Sequence, residues 1–209
     1  MRNRYAAGVL GVLALSLAAC GSSAASPPAG SSGASSAAAS AFRGATFVQP
    51  HPRPSFVLTD QHGKRYDFAA RTRGKATFLF FGYTHCPDIC PTTMADVAAA
   101  LRGLPAAQRD GVQVVFVTTD PKRDTPPVLA AWLANFDPDL RTKFVGLTGS
   151  QAQVDAAQRG AGVQVAEDDG QTHSAQLLLY GPDDVCRVFY LVGSTVEDMR
   201  HDLPLVLEG

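Results

Sequence analysis

The chain has 209 residues, of which 45% are hydrophobic and 18% are charged. Lys and Arg number 18 against 19 Asp and Glu, so the formal net charge of -1 gives no electrostatic basis for binding nucleic acid. Four cysteines are too few for a disulfide scaffold, and the only long apolar run lies at the N-terminus, which excludes a polytopic membrane protein.

The first 20 residues have the layout of a secretory signal. Arg2 and Arg4 precede an apolar stretch, residues 5–17, which is shorter than the roughly 20 residues that a membrane-spanning helix needs. The sequence Leu-Ala-Ala-Cys that follows resembles the lipobox of bacterial lipoproteins, which implies that residues 1–19 are removed and that Cys20 is lipidated. Ordinary signal cleavage nearby, with Cys20 incidental, is the alternative.

A tether follows the predicted lipidation site. Residues 21–41 are all Gly, Ala, Ser or Pro, a composition that behaves as a flexible coil with a root-mean-square reach of about 25 Å. The predicted organisation is a signal peptide, a lipidated cysteine with its tether, and one thioredoxin-like domain, at residues 1–19, 20–41 and 42–209. This organisation predicts a domain that works outside the cytoplasm, at the periplasmic face of a bacterial membrane.

Buried strands alternate with amphipathic helices along most of the domain. The predicted strands are residues 76–81, 112–117 and 144–147. Helices follow them, beginning near Pro91, at Thr125 and at Ser150, where Gln153 completes a capping box. This alternation predicts a parallel sheet with right-handed crossovers.

The C-terminal part of the domain departs from this alternation. Its predicted elements are strands at residues 175–180 and 185–190, and a helix capped by Thr195 and Asp198. The short turn between the two strands requires an antiparallel hairpin, and we expect Pro204 to kink or end the helix. The order of elements predicts an α/β, thioredoxin-like fold with insertions, in which helices flank a mixed central sheet.

Two cysteines carry the clearest chemical signal. Cys86 and Cys90 lie in the loop between the central strand and the next helix, where the helix N-terminus lowers thiol pKa values. Their spacing lets the two sulfurs converge, so a disulfide and a shared metal are both sterically plausible. Structural cysteines are expected inside an apolar stripe, whereas this pair lies among polar residues and prolines.

One of five histidines is placed to supply a further ligand. His173 stands before the strand at residues 175–180, in a polar loop that could deliver an imidazole to the cysteines. His85 adjoins Cys86, but neighbours in extended chain point apart, so we expect it to shape the loop. The remaining histidines, expected at the surface, are His51, His62 and His201. The residues alone do not decide whether His173 ligates.

Four segments of the domain carry its most specific sequence patterns. They read FFGYTHCPDICPTT at residues 80–93, VFVTTDPKRDTP at residues 115–126, FVGLTG at residues 144–149, and His173-Ser174. Together they resemble the Sco/SenC family, and the resemblance covers about residues 53–207, in the same order. It implies a thioredoxin fold on which two cysteines and one distant histidine bind copper. Members of that family help assemble the dinuclear copper centre of cytochrome c oxidase subunit II, as copper donors, thiol reductants or both.

Carried over to this chain, the resemblance implies that Cys86, Cys90 and His173 are the copper ligands, and that the two cysteines form a redox-active disulfide. Two thiolates and an imidazole suit Cu(I) and can also hold Cu(II). Asp120 would lie beside the metal site or cap the loop after its strand, and both roles are compatible. Cys186 falls outside the motif, alternates with apolar residues, and is expected to be buried and inert.

The lipobox-like sequence and the family resemblance together imply a lipid-anchored copper chaperone whose partner is cytochrome c oxidase subunit II or another periplasmic copper protein. The alternative is a thiol–disulfide oxidoreductase that uses Cys86 and Cys90 to reduce cysteines of such a protein and needs no metal. Redox pairs of the thioredoxin type are spaced CxxC, so the extra residue here favours ligation. These residues leave open whether the chain is an enzyme.

Overall fold

A computed structural model of the protein describes residues 41–208. The predicted signal, Cys20 and the predicted tether up to residue 40 lie outside the described residues. Within residues 41–208, every helix is too short or too polar to cross a membrane.

One mixed sheet organises the described residues. Its strands are β1 Ala45–Pro52, β2 Val57–Asp60, β3 Arg65–Asp67, β4 Thr77–Gly82, β5 Gln113–Thr118, β6 Val145–Thr148, β7 Leu177–Tyr180 and β8 Val185–Tyr190. They lie in the order β1-β8-β7-β4-β5-β6-β2-β3. Strands β4, β5 and β6 are parallel, and the remaining neighbours are antiparallel, including the predicted hairpin β7–β8. The predicted mixed sheet is confirmed.

Helices pack on both faces of this sheet. They are α1 Phe68–Thr72, α2 Ile89–Arg102, α3 Ala106–Arg109, α4 Pro126–Leu133, α5 Gln151–Gly160 and α6 Val196–Glu208. Alternate side chains of β4 serve the two faces: Phe78 and Phe80 join the core formed with α2, α4 and α6, whereas Leu79 and Phe81 join the core formed with α5. Every residue of β4 is buried, as its apolar sequence predicts.

The last helix contradicts one of the two outcomes expected of Pro204. Pro204 does not end α6, which continues to Glu208. Met199, Leu203 and Val206 are buried against the core, and this packing offsets the backbone hydrogen bond that proline removes.

The pairing of β4 with β7 brings two segments that are distant in sequence to the same end of the sheet. Strand β7 runs antiparallel to β4, with Phe80 opposite Leu177. The chain that leaves β4 therefore runs beside the chain that enters β7, although more than 80 residues separate them. The candidate site lies at this end of the two central strands, because the segment after β4 carries the two cysteines and the segment before β7 carries His173.

Candidate metal centre

Cys86 lies in the loop before α2 and contacts the start of that helix. The Asp88 side chain occupies the N-cap position but makes no capping hydrogen bond. The Cys86 sulfur accepts a hydrogen bond at this helix start instead: the Cys90 backbone N–H donates to Cys86 Sγ at 3.4 Å. Partial burial acts to raise the pKa of the Cys86 thiol, but the hydrogen bonds from backbone N–H groups outweigh it and lower that pKa.

Cys90 sits in the first turn of α2 and is fully buried. Burial raises the pKa of its thiol strongly, so Cys90 is protonated at neutral pH in the absence of a metal. Gly82, at the end of β4, makes room for its sulfur, because a Cβ at that position would lie 2.7 Å from Cys90 Sγ. The two cysteines of one motif therefore differ in both exposure and acidity.

His173 presents one particular nitrogen to the cysteines. Its Nδ1 lies 2.9 Å from the Ser174 carbonyl oxygen, which can only accept, so Nδ1 carries the proton. Nε2 is then the unprotonated nitrogen, whose lone pair can bind a metal, and this atom lies 3.6 Å from Cys90 Sγ. Burial lowers the pKa of His173, which keeps the imidazole neutral, and its ring packs edge-on against Tyr83 and Phe80.

These three side chains form one cluster. The two sulfurs and a ring nitrogen of His173 all lie within 4.8 Å of one another, and the three residues could hold a metal ion. Beside them lies an open cavity of about 380 Å³, lined by Cys86 and His173 among others. Two segments that are distant in sequence thus bring together the three predicted ligand candidates.

The other histidines do not join the cluster. His85 points to Thr84 and Asp124, with its Nδ1 3.1 Å from Thr84 Oγ1, as expected for a residue that shapes the loop. The three remaining histidines are exposed, as predicted: His51, His62 and His201. Cys186 is also as predicted, because it is buried in β8 and burial raises the pKa of its thiol to about 12.

Asp124 supports the cysteine loop, a role that its position in the sequence does not predict. Its buried carboxylate accepts hydrogen bonds from the Thr84 backbone N–H at 2.9 Å and the Thr84 hydroxyl at 2.6 Å. The Thr118 hydroxyl donates to it as well, at 2.6 Å. Asp124 therefore ties the residues just before Cys86 to the end of β5. The quoted motif contains this residue, but its partner lies 40 residues away, so spacing gave no signal.

Asp120 is linked to the candidate site through two intermediate side chains, Arg123 and Tyr83. Its buried carboxylate accepts from the backbone N–H of Arg123, at 3.4 Å, and forms an ion pair with the Arg123 guanidinium. These contacts are those of a loop cap. The Arg123 guanidinium also lies over the Tyr83 ring, 5.9 Å from its centre, and Tyr83 packs on His173. A role for Asp120 beside the metal stays a prediction.

The segment before His173 is fastened to the loop that follows β5. We call residues 167–172 the His173 loop. The Thr119 hydroxyl donates to the Gly170 carbonyl at 2.7 Å, and Lys122 pairs with Asp169 at 2.7 Å. Gly170 has a φ of +90°, and a Cβ there would lie 2.1 Å from the Thr119 carbonyl oxygen. Only glycine fits this contact.

Comparison with known proteins decides the family. A family model described as SCO1/SenC matches residues 46–208. The chain belongs to the SCO1/SenC family. A Stutzerimonas stutzeri protein, whose name refers to copper binding, is 35% identical to this SCO1/SenC chain over 163 residues, which are 75% of this chain and 77% of the relative. The chain spans 40% to 66% of the length of several further curated relatives.

Solved structures give the same family and the fold. The copper-bound structure of Bradyrhizobium japonicum ScoI is 34% identical, with a TM-score of 0.61, and the match covers 75% of this SCO1/SenC chain and 99% of that one. The apo Sco1 solution structures from Thermus thermophilus are 30% identical, with a TM-score of 0.67, covering 79% and 97% of the two chains. The predicted thioredoxin-like fold and the resemblance to the Sco/SenC family are confirmed.

Proposed function

We propose that this protein binds one copper ion through Cys86 Sγ, Cys90 Sγ and His173 Nε2, and that it delivers the ion to the copper centre of cytochrome c oxidase subunit II. The observation that carries the proposal is the convergence of these donor atoms within 4.8 Å. The copper-bound relative from Bradyrhizobium japonicum supports the choice of metal.

The donor set also favours copper on chemical grounds. Two soft thiolates and a borderline imidazole suit Cu(I), and the same set holds Cu(II), so the ion need not leave when its oxidation state changes. Three protein ligands are fewer than the four of a structural zinc site. The open cavity beside Cys86 and His173 gives a partner's ligands a route to the metal, which transfer by ligand exchange requires.

We further propose that the chain works at the periplasmic face of a membrane, held by a lipid on Cys20. This rests on the lipobox-like sequence before Cys20 and on the Gly, Ala, Ser and Pro composition of residues 21–41. A tether of that length lets the domain reach a membrane-bound oxidase without leaving the surface. Mass spectrometry of the mature N-terminus tests it, and a chain that begins at any other residue contradicts it.

We also propose that Asp120 acts on the metal site through its neighbours. Its pairing with Arg123 fixes a guanidinium over Tyr83, the ring that packs on His173. Asp120 would therefore orient the imidazole indirectly, in addition to capping its loop.

The test of copper binding uses the full chain, purified in detergent and loaded with Cu(I) or Cu(II). We expect about one copper per chain and, in the Cu(II) form, a sulfur-to-copper charge-transfer band. His173→Ala should bind at least tenfold more weakly and lose or shift that band. The matched control is His62→Ala, since His62 is exposed and outside the cluster. Equal copper affinity in wild type and His173→Ala contradicts the proposal.

The unequal acidity of the two thiols favours a second candidate function, reduction of a partner's disulfide. The Cys86 thiolate would attack the disulfide and release one partner thiolate, leaving a mixed disulfide. The released partner thiolate would take the proton of the Cys90 thiol. The Cys90 thiolate so formed would attack Cys86 Sγ, release the partner's second thiolate and form a Cys86–Cys90 disulfide, so the pair supplies both electrons. Cys90→Ser should trap the mixed disulfide with an oxidised subunit II domain. If the wild-type protein binds no copper but reduces this disulfide, the function is disulfide reduction and not copper delivery.

A further inference from the structure

A second cavity adjoins the metal centre. It is a groove of about 110 Å³ between the start of α2, the chain entering β7, and the turn that joins β8 to α6. We call it the α2–α6 groove. Its apolar lining includes Ile89, Leu177 and Met199, and two acidic residues, Asp88 and Asp96, also line it.

Two apolar side chains at the rim of this groove face solvent. Leu191 is 49% exposed and Val192 is 70% exposed. The backbone holds them there: the Ser194 N–H donates to the Leu191 carbonyl at 3.0 Å, the Leu191 N–H donates to Ser194 Oγ at 3.1 Å, and Gly193 has the positive φ that this turn requires. These two neighbouring side chains extend the apolar lining of the groove to its exposed rim.

Two carboxylates line the groove, those of Asp88 and Asp96. Within residues 41–208, neither the Asp88 nor the Asp96 side chain accepts a hydrogen bond or forms an ion pair. Asp96 is partly buried, and burial raises its pKa. A Lys or Arg side chain brought into this groove would gain an ion pair in partly desolvated surroundings, where such a pair is stronger than in water.

The groove lies next to the open cavity beside Cys86 and His173. Asp88, Ile89 and Ala175 line both of them. Ile89 directly precedes Cys90, and Ala175 lies two residues after His173. An occupant of the groove would therefore reach the edge of the copper site.

We propose that the α2–α6 groove docks the protein that exchanges copper with this chain, through a segment that places an apolar side chain against Leu191 and Val192 and a Lys or Arg beside Asp88 and Asp96. This rests on the proposed copper transfer and names the surface that performs it. The chain's own residues 21–41 contain no charged side chain, so they lack the cation that the groove favours.

The test measures binding of the full chain, loaded with copper in detergent, to the purified apo copper domain of the same organism's cytochrome c oxidase subunit II. We expect Val192→Asp and Asp96→Lys each to weaken binding at least tenfold. The matched control is Val48→Asp, because Val48 is fully exposed but does not line the groove, and it should bind within twofold of wild type. Added salt should weaken wild type more than Asp96→Asn.

Copper stoichiometry is measured on every variant and should equal that of wild type. A wild type that docks through the groove but binds no copper overturns the proposed function and not the groove. Wild-type affinity in both groove variants overturns the docking proposal, as does the lack of saturable binding by wild type. If Val192→Asp changes only the oligomeric state of the chain, the occupant is a second copy, which also overturns it.

Discussion

At the scale of single residues, the structure gives two chemically identical side chains, Cys86 and Cys90, opposite shifts of thiol pKa. Backbone N–H groups at the start of α2 stabilise the Cys86 thiolate, whereas full burial opposes ionisation of Cys90. The Cys90 thiol sits 3.6 Å from the neutral His173 Nε2, so a metal that replaces its proton finds an imidazole already in place. Copper binding should therefore release protons, and copper affinity should fall as the pH falls.

This difference in pKa predicts selective alkylation. At pH 7 in the apo protein, iodoacetamide should modify Cys86 at least tenfold faster than Cys90, because the thiolate is the reactive form and Cys86 has the lowered pKa. Peptide mass spectrometry after timed quenching measures both rates. Buried Cys186 is the internal control and should stay unmodified until the protein unfolds. Faster modification of Cys90 would show that the pKa order is wrong.

Asp124 gives a second prediction at this scale. Asp124→Ala leaves three donors on Thr84 and Thr118 without their acceptor, which should lower the free energy of unfolding by about 3 kcal/mol and weaken copper binding. Urea unfolding and copper titration measure the two effects. Asp139→Ala, which removes an exposed ion pair with Arg102, is the control and should change stability far less. A negligible effect of Asp124→Ala contradicts this role.

At the scale of elements, the His173 loop determines where the imidazole lies. Three consecutive residues before Gln171 have positive φ: Asp168, Asp169 and Gly170. This tight course turns the chain so that Gly170 packs on the Thr119 carbonyl, and His173 follows three residues later. The contact with the end of β5 fixes the loop and therefore the ligand.

Gly170→Ala tests this dependence. The added Cβ cannot fit against Thr119, so the loop must move and copper affinity should fall at least tenfold. Gly63→Ala is the matched control, because Gly63 also has a positive φ but has open space where its Cβ would be. Copper titration with the two variants separates backbone strain from the steric contact. Equal copper affinities in the two variants contradict the proposed positioning role.

Local signals in the sequence predicted the central elements. The apolar run of β4 is buried on both faces, and the capping box of Ser150 and Gln153 opens α5 as predicted. Strand β1 was not predicted, because it is an edge strand with exposed residues and prolines, and its pairing with β8 is not visible locally. The continuation of α6 beyond Pro204 depends on burial against distant elements, which helix propensity does not include.

The candidate site likewise combines residues predicted from local signals with residues that depend on distant contacts. Spacing alone indicated that Cys86 and Cys90 could converge, because both lie within one loop and one helical turn. His173 needed the family resemblance, since the antiparallel pairing of β7 with β4 brings it to the cysteines. Asp124 and Tyr83 contribute through hydrogen bonds and ring packing across the fold, for which a single sequence has no periodic signal.

At the scale of the whole molecule, a bound copper would join parts of the chain that are distant in sequence. Cys86 and Cys90 follow β4, and His173 precedes β7, so one ion would connect two central strands through their loops. A metal that binds the folded chain more tightly than the unfolded chain stabilises the fold.

We therefore expect copper to raise the melting temperature. At a free concentration 100 times Kd, one site adds about 2.7 kcal/mol, which for a domain of this size raises Tm by about 5–10 °C. Thermal unfolding followed by circular dichroism measures the shift, and a copper chelator should reverse it. His173→Ala at the same copper concentration should shift much less. An unchanged Tm in wild type means that the ion does not bind the folded site.

The most direct measurement is X-ray absorption at the copper edge of the full chain loaded with one equivalent of Cu(I). We expect a first shell of two sulfurs and one imidazole nitrogen, with the imidazole scattering lost in His173→Ala and retained in His62→Ala. A shell without sulfur, or an imidazole signal that survives His173→Ala, would contradict ligation by Cys86, Cys90 and His173.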